Sequence, residues 1–74
     1  MFIEIKSLDG TTFTVGGKFE IGTINKVLSV DSISFNSNND NGQITYNVQC
    51  SAEGNEDEKY QYTIINPTYI ARKL

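Results

Sequence analysis

Apolar and polar residues alternate without interruption across residues 43–50, so that Ile44, Tyr46, Val48 and Cys50 fall on one face of an extended chain and Gln43, Thr45, Asn47 and Gln49 on the other. A period of two sustained this long predicts a half-buried β-strand. Residues 59–64 repeat the period, with Tyr60, Tyr62 and Ile64 on the apolar side. Residues 2–8 predict the first strand, and Asp9-Gly10, a dipeptide suited to a tight turn, leads into a second over residues 11–15. Between Phe19 and Phe35 the period is disturbed. Ile21, Ile24, Val27 and Val30 recur every third residue, which no single face of a flat strand provides. Ile24, Val27 and Leu28 also suit a helical turn, but the β-branched content and Gly22 favour strand. The stretch is read as one long bent strand, or two strands kinked near Ser29, with at least one bulge or turn.

Breakers separate these runs. Gly16-Gly17 permits a bulge or a positive φ where other residues would be strained. Residues 36–42 are almost pure turn chemistry, ending in Asn41-Gly42, and predict a hairpin joining residues 32–35 to residues 43–50. The acidic residues 53–58 are read as a solvated loop leading to the strand over residues 60–65. Asn66-Pro67-Thr68 ends that strand, because Pro67 has no amide donor and biases Asn66 away from helix. Residues 69–74 form a last short strand or a single helical turn.

The chain therefore reads as one all-β domain over residues 1–74, a small antiparallel barrel or compact sandwich of five to six short strands. Curling is the economical way to cover the apolar face, and Gly16, Gly17 and Gly22 sit where curling needs permissive backbone. Residues 16–27, from Gly16-Gly17-Lys18-Phe19 to Asn25-Lys26-Val27, resemble the second and third strands of SH3-like barrels. That resemblance implies an SH3-like barrel as the form of closure.

Composition narrows what the domain can do. A chain of 74 residues buries only about 60% of the surface its unfolded form exposes. Small domains of this kind draw on disulfides, metals or self-association. With one cysteine and no histidine, an internal disulfide and the usual structural zinc sites are excluded, leaving self-association. The first residues place Glu4 inside an apolar cluster and lack the long apolar run of a signal peptide or membrane span, so a cytoplasmic location is expected, in keeping with the free thiol. A net charge of −3 repels phosphate backbones and disfavours nucleic acid.

Absence of histidine also removes the commonest acid–base group and every triad built on it, so a non-enzymatic role is expected, without metal or cofactor. Carboxylate pairs such as Glu4 with Glu20 or Asp31 have no spacing that fixes them. Cys50 is expected to pack as a small hydrophobe. Gly16-Gly17-Lys18 lacks the spacing of a phosphate loop, and Asp40-Asn41-Gly42 lacks the ligand ladder of a calcium loop. The remaining lead is aromatic: Tyr46, Tyr60, Tyr62 and Tyr69 offer rigid contact area with a polar tip. Together with Glu56, Asp57 and Glu58 they are the candidate partner-binding residues. The Asn-rich chain, read as complete from Met1, resembles the short accessory proteins of bacteriophages and mobile elements. That likeness implies an inhibitor of a host protein, or a protein that captures a small ligand. The expected partner is a protein, without a membrane. One alternative is a self-assembling, virion-type component whose strand edges, such as residues 2–8, pair between copies. Another is a nucleic-acid-binding barrel with Lys6, Lys18, Lys26, Arg72 and Lys73 gathered on one face.

Overall fold

Turn residues cut the chain into seven antiparallel strands with no helix among the described residues. The structure is a computed structural model that describes residues 1–38 and 42–73, without the side chains of Ser37 and Asn38. The strands are β1 (Phe2–Lys6), β2 (Thr12–Thr14), β3 (Lys18–Ile21), β4 (Lys26–Asn38), β5 (Ile44–Ala52), β6 (Asn55–Ile65) and β7 (Tyr69–Arg72). The all-β class holds, but seven strands replace the five to six expected, because residues 18–38 split in two and the tail pairs as β7 rather than forming a helical turn. The pairing order is β2-β1-β4-β5-β6, with β3 added on β4 and β7 on β1.

β1 and β2 form the expected hairpin, and Gly10 at φ +92° supplies its left-handed turn residue. Gly16-Gly17 then turns the chain from β2, which pairs with β1, into β3, which pairs with β4: the amide of Gly16 donates to Val30 O and the amide of Val30 to Gly17 O, each at 2.9 Å. A β-carbon on Gly17 would lie 2.9 Å from Thr14 O, so only glycine fits this corner without displacing backbone.

The disturbed period has two physical causes. Residues 22–25 are a turn closing the β3–β4 hairpin, with Asn25 at φ +54°, so the break falls there rather than at Ser29. Beyond it the pairing of β4 with β5 slips between Val30 and Ser32, leaving Asp31 as an extra residue. That bulge returns Ile33 to the face already holding Leu28 and Val30. A second slip, between Phe35 and Ser37, places Asn36 inside β4 instead of the expected loop. Of that expected loop, residues 39–41, with the Asn41 of the turn dipeptide, lie outside the described residues.

The acidic run is only partly a connection. β5 and β6 are joined through Glu53-Gly54, with Ala52 opposite Asn55 and Ser51 opposite Lys59. Glu56, Asp57 and Glu58 therefore belong to β6 but have no opposite residue in β5, and bulge from the ladder.

Ile5, Leu28, Val48 and Cys50 are wholly buried, with Phe13, Val30, Ile33, Ala52 and Ile64 around them. Each buried aliphatic side chain contributes about 1.5–3 kcal/mol relative to exposure. Phe13 of β2 stacks on Tyr62 of β6 at 5.9 Å and meets Phe19 of β3 edge-on at 5.2 Å. Side chains thus join the two ends of the sheet, although β2 and β6 share no backbone ladder.

Candidate functional site

Among the described residues, β6 is the longest strand with a partner on only one side. Its hydrogen-bonding phase follows from its end, where the amide of Asn66 donates to Ile44 O at 2.8 Å. In an antiparallel ladder such pairs recur every second residue, so Tyr60, Tyr62 and Ile64 direct their main-chain groups toward β5. Lys59, Gln61, Thr63 and Ile65 direct theirs to the open edge. The strand's side chains divide likewise: Tyr60, Tyr62 and Ile64 face the core, while Gln61, Thr63 and Ile65 are exposed.

Beside the C-terminal half of this edge lies a groove of about 470 Å³ bounded by the β1–β2 hairpin, with Leu8, Asp9, Phe13, Tyr62, Ile64 and Ile65 in its lining. Leu8 and Ile65 are exposed apolar residues at its rim. The hydroxyl of Ser7 and the amide of Thr11 donate to Asp9, which lowers its carboxyl to about 2 and keeps that rim anionic. At the other end of β6, Glu58 accepts from Lys26, which pulls its carboxyl down and raises the lysine. Lys18 pairs with Glu53 at 3.2 Å. Glu56 and Asp57 are exposed and take part in no ion pair among the described residues.

The tyrosines do not form one platform. Tyr62 lies against Phe13 and Phe19, and Tyr60 is half-buried beside it. Tyr46 sits between Phe2 and Phe35, edge-on to both at 5.3 and 5.4 Å, in a second aromatic row that Arg72 extends by lying 5.6 Å above Phe2. Tyr69, on β7 opposite Lys6, is exposed. Tyr60 and Tyr62 thus share β6 with Glu56, Asp57 and Glu58, whereas Tyr46 and Tyr69 lie elsewhere. Leu8, Ile65 and the half-exposed Phe35 escaped the sequence reading as site residues, because nothing local marks an apolar residue as left uncovered, and Asp9 was read only as a turn residue.

A second hollow, of about 400 Å³, is lined by Lys18, Ser29, Asp31, Ser51, Glu53 and Lys59 among others. Most of its polar groups pair within it: Ser51 Oγ lies 2.8 and 2.9 Å from the two oxygens of Asp31, and Lys59 Nζ is 3.7 Å from the same carboxylate, while Glu56 also lines the hollow. Of the other two carboxylates considered, Glu4 on β1 accepts from the hydroxyl of Thr14 at 2.9 Å, and Glu20 lies on β3 opposite Val27. Among the described residues no three His, Cys, Asp or Glu side chains cluster as a metal site would require. The cations are divided: Lys18 and Lys26 pair with acids of the β5–β6 hairpin, while Lys6 and Arg72 lie on β1 and β7.

No family model, curated protein or solved structure matches this chain.

Proposed function

We propose that this protein is a non-enzymatic, cytoplasmic binding module that engages a protein partner along β6, in the manner of a small phage or mobile-element inhibitor. The observation that carries this reading is the strand itself. It brings an unpaired backbone edge and the acids Glu56 and Asp57, which join no ion pair among the described residues, to the surface on one element, with Tyr60 and Tyr62 turned inward beneath them. Unpaired strand edges bind by main-chain hydrogen bonds, and acids beside them select basic partner surfaces. The small-ligand alternative has the groove beside Leu8 and Phe13 as its natural site.

Affinity capture from bacterial lysate, with bound proteins identified by mass spectrometry, tests the reading. The expected result is a defined partner retained by the native protein and lost by a Glu56→Lys, Asp57→Lys variant of unchanged circular dichroism. Equal capture by both would remove the acidic edge from the interface.

One observation favours self-assembly as a second reading: past Lys59 at its start, the open edge over residues 60–65 carries no charge and no proline, the devices that keep edges from pairing. Light scattering over a hundredfold range of concentration decides it, since a mass fixed at one chain rules assembly out.

A further inference from the structure

The geometry points to a specific kind of ligand for β6: an extended segment with alternating apolar residues at its centre and lysine or arginine at both ends, added antiparallel as an eighth strand. This inference rests on the binding reading above and deepens it. Lys59, Gln61, Thr63 and Ile65 offer outward main-chain donors and acceptors over seven residues, a rail of about 20 Å at the usual strand rise. Every pairing among the described strands is antiparallel, so an added strand of that direction continues the twist already present. Its apolar side chains fall beside the groove bordered by Leu8, Phe13, Tyr62 and Ile65.

Charge chooses between possible occupants. The groove end of the rail is anionic through Asp9, and at the other end Glu56 and Asp57 in the bulge outnumber Lys59, whose ammonium lies 3.7 Å from the Asp31 carboxylate. A second copy laid antiparallel would bring the Asp9 end of one chain against the Glu56–Asp57 end of the other, and each chain carries a net −3. Like charges held in register oppose pairing, whereas basic flanks satisfy both ends at once.

The probe is a nine-residue peptide, Lys-Arg-Val-Thr-Val-Thr-Val-Arg-Lys, compared with the same centre flanked by glutamates. Amide hydrogen exchange followed by NMR gives a signature that mere surface attraction lacks. The amides of Lys59, Gln61, Thr63 and Ile65 should become at least tenfold slower to exchange, while those of Tyr60, Tyr62 and Ile64, already bonded to β5, change little. The glutamate-flanked peptide should bind at least tenfold more weakly in 50 mM salt, with the gap closing in 0.5 M salt. Thr63→Pro removes an outward donor without touching the β5 ladder, and should lower affinity at least tenfold. Should that variant fail to fold, Leu8→Lys places a cation on the exposed groove rim and should weaken the basic peptide similarly.

Unchanged exchange at the four outward amides under saturating peptide would overturn the inference, as would equal affinity for both peptides. Protection of the same amides that rises with protein concentration in the absence of peptide would overturn it in favour of a second copy. If a lysate partner binds the native protein and Thr63→Pro equally, the binding reading survives and the added strand does not.

Discussion

Cys50 is fully buried on the apolar face of β5, and burial together with the Asp31 carboxylate raises its thiol from about 9 to about 11. At pH 8 the folded protein should therefore hold about 100-fold less thiolate than an unfolded chain. Alkylation by iodoacetamide should be slower by at least that factor in native buffer than in 6 M guanidinium, as followed by mass spectrometry. Because the folded value lies above the unfolded one, this group's contribution to stability is complete below pH 9 and is lost as pH rises toward 11. Tyr62, raised by burial, acts in the same direction. Asp9 behaves oppositely: its carboxyl is depressed by the Ser7 and Thr11 hydrogen bonds, so its contribution is present above about pH 4 and fades as pH falls toward 2. Urea midpoints across pH 2–11 should fall at both ends, and Asp9→Asn should flatten the acid limb. At this scale the sequence was a good guide to Cys50, whose face follows from alternation. It was no guide to Asp31, because a bulge cannot be located from one strand alone.

Among the elements, the corner after β2 carries the sharpest steric demand. Gly17→Ala pushes a methyl group against Thr14 O and should lower unfolding free energy by about 1–3 kcal/mol, measured by urea titration. Gly22, with open space around its α-carbon and no left-handed φ, should accept alanine with little change, although both glycines looked alike as curling points. β4 shows why the middle of the chain resisted reading. Its buried residues Leu28, Val30 and Ile33 step by two and then three, and the step of three is the bulge at Asp31. Tyr46, Val48, Cys50 and Tyr60 lie on the faces their alternation predicts, but the start of β5 departs from it: Ile44, expected inside, is 42% exposed and Thr45, expected outside, is buried, next to the second slip of the β4–β5 pairing. β6 also shows the limit of composition: a run of acids suggested a loop, yet the ladder extends to Asn55 by excluding three residues.

For the whole molecule, a domain of 74 residues is expected to have about 4–11 kcal/mol of stability. Leu28→Ala, which opens a cavity at a fully buried site, should remove about 3 kcal/mol. Calorimetry should show that single change lowering the melting temperature by well over 10 °C. Two of the six strand pairings among the described residues, β1 with β7 and β1 with β4, join strands distant in sequence, and the long β4–β5–β6 meander brings together residues twenty and more apart. Refolding should accordingly take milliseconds to seconds, resolvable by stopped-flow tyrosine fluorescence, rather than microseconds.

Periodicity is a local property, and it was enough to establish an all-β chain, the first hairpin, the β5–β6 pair and the inward faces of Tyr46, Val48 and Cys50. Adjacency across the sheet is not local. That β1 accepts β7, that Phe13 reaches Tyr62, and that the far side of β6 is left without a neighbour all depend on where bulges and corners aim each strand. A residue's exposure on a free edge is set by what fails to arrive beside it, and only the assembled sheet records that.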